Sequence, residues 1–310
     1  DWSSDVCSSD LSSNLTLVGN ATITIPSLTL ATLNNSRNNT VSMGGNLTVG
    51  TLQLYGGTFS VGSNTLTINT RLVQSGGILS THYGSTLAYT STSYMLSLPA
   101  CNLYRFDLNS SQGCALNGNL SVNHLSLTST SLDLKSNSAT ILSSISATSS
   151  TITGLSGSTL DINFFAAAGI SLPQLTVGNL ICQGNMNYNF SPSSRILTQL
   201  QLKNGTVKPS TNLSLASGCA INRYSGTIDA NPSYEGTITV SYYIDASAGY
   251  EIPSSSAVLT TLVLKSGVDV ESDRDIYVSQ AIRLETNAIL TMDQGVLYVP
   301  ANLVYTQMPG

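Results

Sequence analysis

The sequence predicts an all-β fold: a right-handed parallel β-helix, or β-solenoid, with coils of about 19–21 residues grouped in a super-repeat of about 75. Three observations carry this. An aliphatic residue precedes proline at Ile25-Pro26, Leu98-Pro99, Leu172-Pro173 and Ile252-Pro253, so the prolines recur at steps of 73, 74 and 80. Within that unit apolar and polar residues alternate in bursts such as Leu47/Val49, Leu52/Leu54, Phe59/Val61 and Leu66/Ile68, the period-two pattern of strands with one buried face. A shorter period runs underneath: Leu28, Leu47, Leu66 and Leu87 are spaced 19, 19 and 21 apart, with Leu30, Val49, Ile68 and Tyr89 in step. A coil of that length cannot bury its apolar face alone, so it must stack on its neighbours. Parallel stacking about 4.8 Å apart turns roughly fifteen such coils into a rod on the order of 70 Å long. Parallel crossovers favour the right hand.

Along the chain, Pro26 laid on Pro99 aligns Leu30 with Leu103, Leu33 with Phe106, Val41 with Cys114, Leu47 with Leu120, Leu52 with Leu125 and Phe59 with Leu132, without a gap. Gly-Gly, Gly-Ser-Asn and Asn-Gly separate the bursts and supply the backbone freedom that corners need. The copy after Pro173 is the most worn, and the fourth, Leu259 to Met292, again follows the second. The opening segment DWSSDVCSSDL, residues 1–11, resembles a translated sequencing adapter and is set aside, leaving 12–310 as a single solenoid. Without it 13 acidic residues face 11 basic ones, a net charge of about −2. The chain is then expected to be a fragment, truncated at both ends, from assembled environmental reads.

Charged residues make up 9% of the chain, against about 25% in an average soluble domain. There is no basic stripe for nucleic acid, and no apolar run approaches the roughly 18 residues of a membrane span; the longest is Phe164 to Leu172.

Each candidate for chemistry has a plainer structural reading. Cys101, Cys114, Cys182 and Cys219 lack CxxC spacing, and the first two fall on ladder positions, so all four read as small buried thiols. His82 lies in a Gly/Ser-rich loop and His124 at an outward position, which makes both surface histidines. Asp269, Glu271, Asp273 and Asp275 place carboxylates on one side of an extended segment, a set of oxygen ligands suited to Ca²⁺. Alignment with Asn117-Gly118-Asn119, and Arg274 in their midst, predicts a solvated corner instead. Asn-X-Ser/Thr triplets at Asn14, Asn20, Asn38, Asn46, Asn109, Asn119, Asn204 and Asn212 read as turn and ladder residues first. The Thr-x-Thr pairs Thr22/Thr24, Thr65/Thr67, Thr151/Thr153 and Thr237/Thr239 are scattered, whereas an ice-binding face needs them on nearly every coil. No catalytic, cofactor-binding or metal-binding residue is assigned, and no cofactor is expected.

The stretch GSTLAYTSTSYMLSLPACNLYRFDLNSSQGCALNGNLSVNHLSLTSTSLDL resembles the repeat of large secreted bacterial surface proteins, similar in architecture to autotransporter passengers and filamentous-haemagglutinin-like solenoids. The likeness covers nearly all of residues 14–297. It implies export to the cell surface and supplies no catalytic residues. The expected function is therefore a non-enzymatic, adhesin-like stalk that displays binding loops to surface glycans or other cell-surface components. The Tyr242 to Ile252 loop, with Tyr242, Tyr243 and Tyr250, is the leading sugar contact, set against tyrosines that pack a rung corner. A pectin-lyase-like lyase or hydrolase on the same fold is the alternative, with Asp269 to Asp275 and Lys265 or Arg283 as its chemistry.

Overall fold

The computed structural model describes residues 13–208, 210–255 and 258–307; the adapter-like segment lies outside them. The fold is all-β, with parallel stacked strands making about 14 solenoid turns. The described residues form two compact units, those up to 133 together with 144–151, and 134–143 together with those from 152 on.

In the first unit the ladders predicted from spacing are the observed registers. Leu28 lies beside Leu47, Leu47 beside Leu66 and Leu66 beside Leu87, while Leu30, Val49, Ile68 and Tyr89 stack alongside. All but Leu28 among these side chains are buried. Fully burying one such side chain contributes about 1.5–3 kcal/mol, so the stack of rungs, not any single coil, holds the unit together. A second ladder runs Leu15, Leu33, Leu52, Leu72, and a third Val41, Phe59, Leu79.

Two details go beyond the sequence pattern. The bursts Leu47/Val49 and Leu52/Leu54 belong to one strand, Leu47–Leu54. Its alternation slips at the outward pair Gly50-Thr51, so the chain rounds a corner without leaving the β conformation. A Cβ on Gly50 would come within 2.5 Å of the Ala31 carbonyl oxygen one rung away, which is why the corner takes glycine.

The second detail concerns the long repeat. The ladder from Leu28 passes through Leu47, Leu66 and Leu87 and reaches Phe106 at the fourth step. The proline repeat is shorter than those four steps, for laying Pro26 on Pro99 equates Phe106 with Leu33, not with Leu28. The shift from Leu28 to Leu33 is the step from one burst to the next within a strand. The opening of the second copy, within the first unit, is therefore turned by one face relative to the first.

In the second unit one inner ladder runs Ala139, Leu160, Leu180, Leu200, Ile221, Val240, Leu262, Ile282. Its companion, two residues on, runs Ile141, Ile162, Cys182, Leu202, Arg223, Tyr242, Leu264, Leu284. An arginine thus stands where every neighbouring rung places an apolar or aromatic side chain.

Two expectations are corrected in this unit. Tyr242 to Ile252 is an exposed loop only in its middle: Ile244, Asp245, Ser247 and Tyr250 are exposed, but Tyr242 ends the strand Ile238–Tyr242 and is fully buried, and Ile252 is buried too. The aromatic ring fills the ladder site between Arg223 and Leu264, where burial outweighs exposure of its one hydroxyl. Nor is Asp269 to Asp275 wholly a corner, because Asp269–Ser272 is a strand with Val270 and Ser272 inward. Only the residues after Ser272 turn, since the inward Val270 and Ser272 hold Asp269 and Glu271 to the outer face of a strand.

Candidate functional site

The inward arginine organises the most distinctive region among the described residues. Arg223 lies at the end of the strand Cys219–Arg223 and is 7% exposed. Such a charge is costly in an aliphatic core unless it meets a partner. The partner is Glu251, 1% exposed, whose Oε1 lies 3.4 Å from Arg223 Nε. The same Oε1 accepts hydrogen bonds from the Tyr242 hydroxyl at 2.9 Å and from the Gly249 amide at 3.0 Å. Burial, reinforced by the adjoining Glu251 carboxylate, pushes the Tyr242 phenol well above its ordinary range, so it stays protonated and donates.

Glu251 is thereby an inward anchor for an outward segment. From the rung before, Asn231 Nδ2 donates to the carbonyl oxygens of Tyr250 at 2.7 Å and Ile252 at 2.9 Å. The Tyr234 hydroxyl donates to the same Tyr250 oxygen at 3.4 Å; burial raises that phenol to about 12. Arg274, at the turn after Asp269–Ser272, lays its guanidinium over the Tyr250 ring, 4.3 Å from the centroid. Its backbone is held by Ser272, whose Oγ accepts from Arg274 N and donates to Arg274 O.

These constraints shape a cavity of about 220 Å³ lined by Ile252, Ser254, Arg274, Asp275 and Tyr277. Tyr277 is backed by Tyr298, stacked at 4.3 Å and 7°. Asp275 is exposed, and its Oδ1 accepts from the Val296 amide at 2.9 Å. Several polar atoms of this region are buried without a protein hydrogen-bond partner: Arg223 Nε and Nη1, Glu251 Oε2 and Arg274 Nη1. Arg274 is also one of the residues that line the cavity.

The residues singled out from the sequence fall as follows. Cys101, Cys114, Cys182 and Cys219 are buried and in no disulfide. Burial raises the Cys101 thiol to about 11 and the Cys219 thiol to about 12. His82 is exposed, its Nδ1 accepting from the Gly84 amide at 2.8 Å. His124 is outward but half-buried, 2.8 Å from Ser144 Oγ and edge-on to Tyr104 at 4.9 Å. Lys265 is ion-paired with Glu285 at 2.6 Å, so it is not a free base, while Arg283 is exposed. Asp269 and Glu271 point outward on their strand, and no group of three or more His, Cys, Asp and Glu side chains converges among the described residues. Thr22 stacks on Thr40 and Thr58, but the next rung offers Ile78, so the threonine column ends after three rungs. Tyr243 is half-buried and stacked on Tyr224 at 4.5 Å, with Lys265 near its ring, and Tyr250 is exposed.

Sequence reasoning missed Arg223 and Glu251. The signal was present, because extending the ladder from Cys182 through Leu202 by one more coil lands on Arg223. Together the fold and this region define a parallel β-solenoid with a polar clasp set into its aliphatic interior. No protein-family model, no curated protein and no solved structure matches the chain.

Proposed function

We propose that this chain is the solenoid body of an exported or cell-surface protein, a non-enzymatic support that displays binding surface at its corners. The observation that carries the reading is the register itself. In each unit rung pairs with rung through parallel hydrogen bonds over sealed apolar ladders, the construction of a stiff scaffold. Departures from the ladder serve to shape the outer wall: Glu251 directs its buried oxygen to the Gly249 amide and Tyr242, fixing the Tyr250 segment. The likeness of the repeat to secreted bacterial surface proteins supports export.

A glycan array probed with the labelled chain, run beside an assay for newly released reducing or unsaturated sugar ends, tests this. Binding without release is the expected result. Cleavage of any arrayed polysaccharide would make the chain an enzyme, and a silent array would remove the sugar-displaying role.

A further inference from the structure

The geometry points to the cavity bounded by Ile252, Ser254, Arg274, Asp275 and Tyr277 as a subsite for one neutral pyranose ring of a glycan. This rests on the display reading above and names the place and the ligand unit. The first reason is size. At about 220 Å³ the cavity is smaller than the roughly 300 Å³ at which sites for drug-sized ligands begin, and it suits a single sugar ring.

The second reason is the pairing of charges. Arg274 and Asp275 are adjacent in the wall, so a ligand with net charge gains from one what it loses to the other. Vicinal hydroxyls suit both, because each hydroxyl donates and accepts. Asp275 Oδ1 already accepts from Val296 N, and a carboxylate has further lone pairs to receive sugar hydroxyls through charge-assisted bonds. Arg274 brings a guanidinium, a group made only of hydrogen-bond donors, to the cavity wall to face a ring or hydroxyl oxygen. Ser254 adds a hydroxyl, and Ile252 with Tyr277 gives the apolar surface that the C–H face of a sugar needs.

The third reason is preorganisation. Ile252 is held from the previous rung by Asn231, its neighbour Glu251 is tied to the Gly249 amide, and Arg274 is held against Tyr250. The clasp of Arg223, Tyr242 and Glu251 thus fixes a wall before any ligand arrives, which lowers the ordering cost of binding.

The test is saturation-transfer NMR on the full chain with the methyl glycosides of glucose, mannose and galactose, and with galacturonate as the charged control. We expect transfer to at least one neutral glycoside. Asp275→Asn, which keeps an oxygen for the Val296 amide, and Arg274→Gln should each weaken that binding at least tenfold, with unchanged circular dichroism. Preference for galacturonate over every neutral glycoside would overturn the neutral-ring assignment. So would binding that survives both substitutions, or no transfer to any neutral glycoside. If the variants still light the glycan array as the parent does, this subsite falls while the display reading stands; a parent silent on the array removes both.

Discussion

Leu28 to Tyr89 and Leu202 to Leu264 are built to the same plan, yet they teach opposite lessons. In the first, the ladders through Leu47 and Val49 are apolar or aromatic at every rung, and they repeat with a spacing that shifts only from 19 to 21. In the second, the register is kept while the chemistry changes, so that Arg223 and Tyr242 sit between Leu202 and Leu264. Backbone pairing tolerates the exchange because parallel hydrogen bonds do not depend on the side chain. What offsets the buried charge is local: one carboxylate, Glu251, brought inward from the next corner. Regularity therefore reports architecture, and a break in regularity without a break in register marks where the wall has been shaped.

The largest effect that separates the two regions is expected from Glu251→Leu. It strands the Arg223 guanidinium in the core and should cost about 4 kcal/mol in urea unfolding. A loss below about 1 kcal/mol would show that Arg223 finds water or another acceptor. In the regular region, Leu66→Ala removes a fully buried side chain and should cost about 3 kcal/mol. The contrast sharpens in a double-mutant cycle. Arg223→Leu with Glu251→Gln restores an apolar ladder while keeping an acceptor for Tyr242 and Gly249, so the pair should be less destabilised than the sum of the single changes by about 1–3 kcal/mol. Strict additivity would mean that the 3.4 Å contact carries no coupling.

The ladders are legible because leucine, valine and isoleucine at period two and period twenty leave a double signature. Spacing alone pairs Leu28, Leu47, Leu66 and Leu87, and the registers agree. Fusion of two bursts into the strand Leu47–Leu54 is hidden, since the alternation breaks at Gly50-Thr51 while the backbone stays extended. The clasp is hidden for another reason: Arg223 and Glu251 are far apart in the chain, and density of charge points to Asp269–Asp275 instead. A lone charge on a ladder position is informative only once the ladder has been counted through it.

Smaller effects concern titration. The Cys101 and Cys219 thiols are raised by burial to about 11 and about 12. Their stabilising contribution is complete below the unfolded thiol value of about 8.5 and is lost as pH rises through the folded values, so unfolding midpoints should fall above about pH 9. Iodoacetamide at about pH 8.5, followed by mass spectrometry, should leave Cys101, Cys182 and Cys219 unmodified until urea is added; rapid native labelling of the fully buried Cys182 would contradict its place in the ladder. The smallest effect belongs to the rung-to-rung pair Lys265–Glu285. Hydrogen bonding to Lys265 lowers the Glu285 pKa, so its contribution is present above about pH 4.3 and is lost as pH falls through the lower folded value. Being partly exposed, the pair contributes little, and Glu285→Gln should flatten only the acid limb of the stability profile.

The proline repeat carries Leu28 to Cys101, whereas four steps of the ladder carry it to Phe106, and the mismatch works like a vernier. The first repeat thus spans slightly less than four turns, so a corner at the start of the second copy emerges on the adjoining side instead of directly above its counterpart in the first. Over the first repeat the same surface motif is turned to a new side while the interior ladder from Leu28 to Phe106 runs on unchanged.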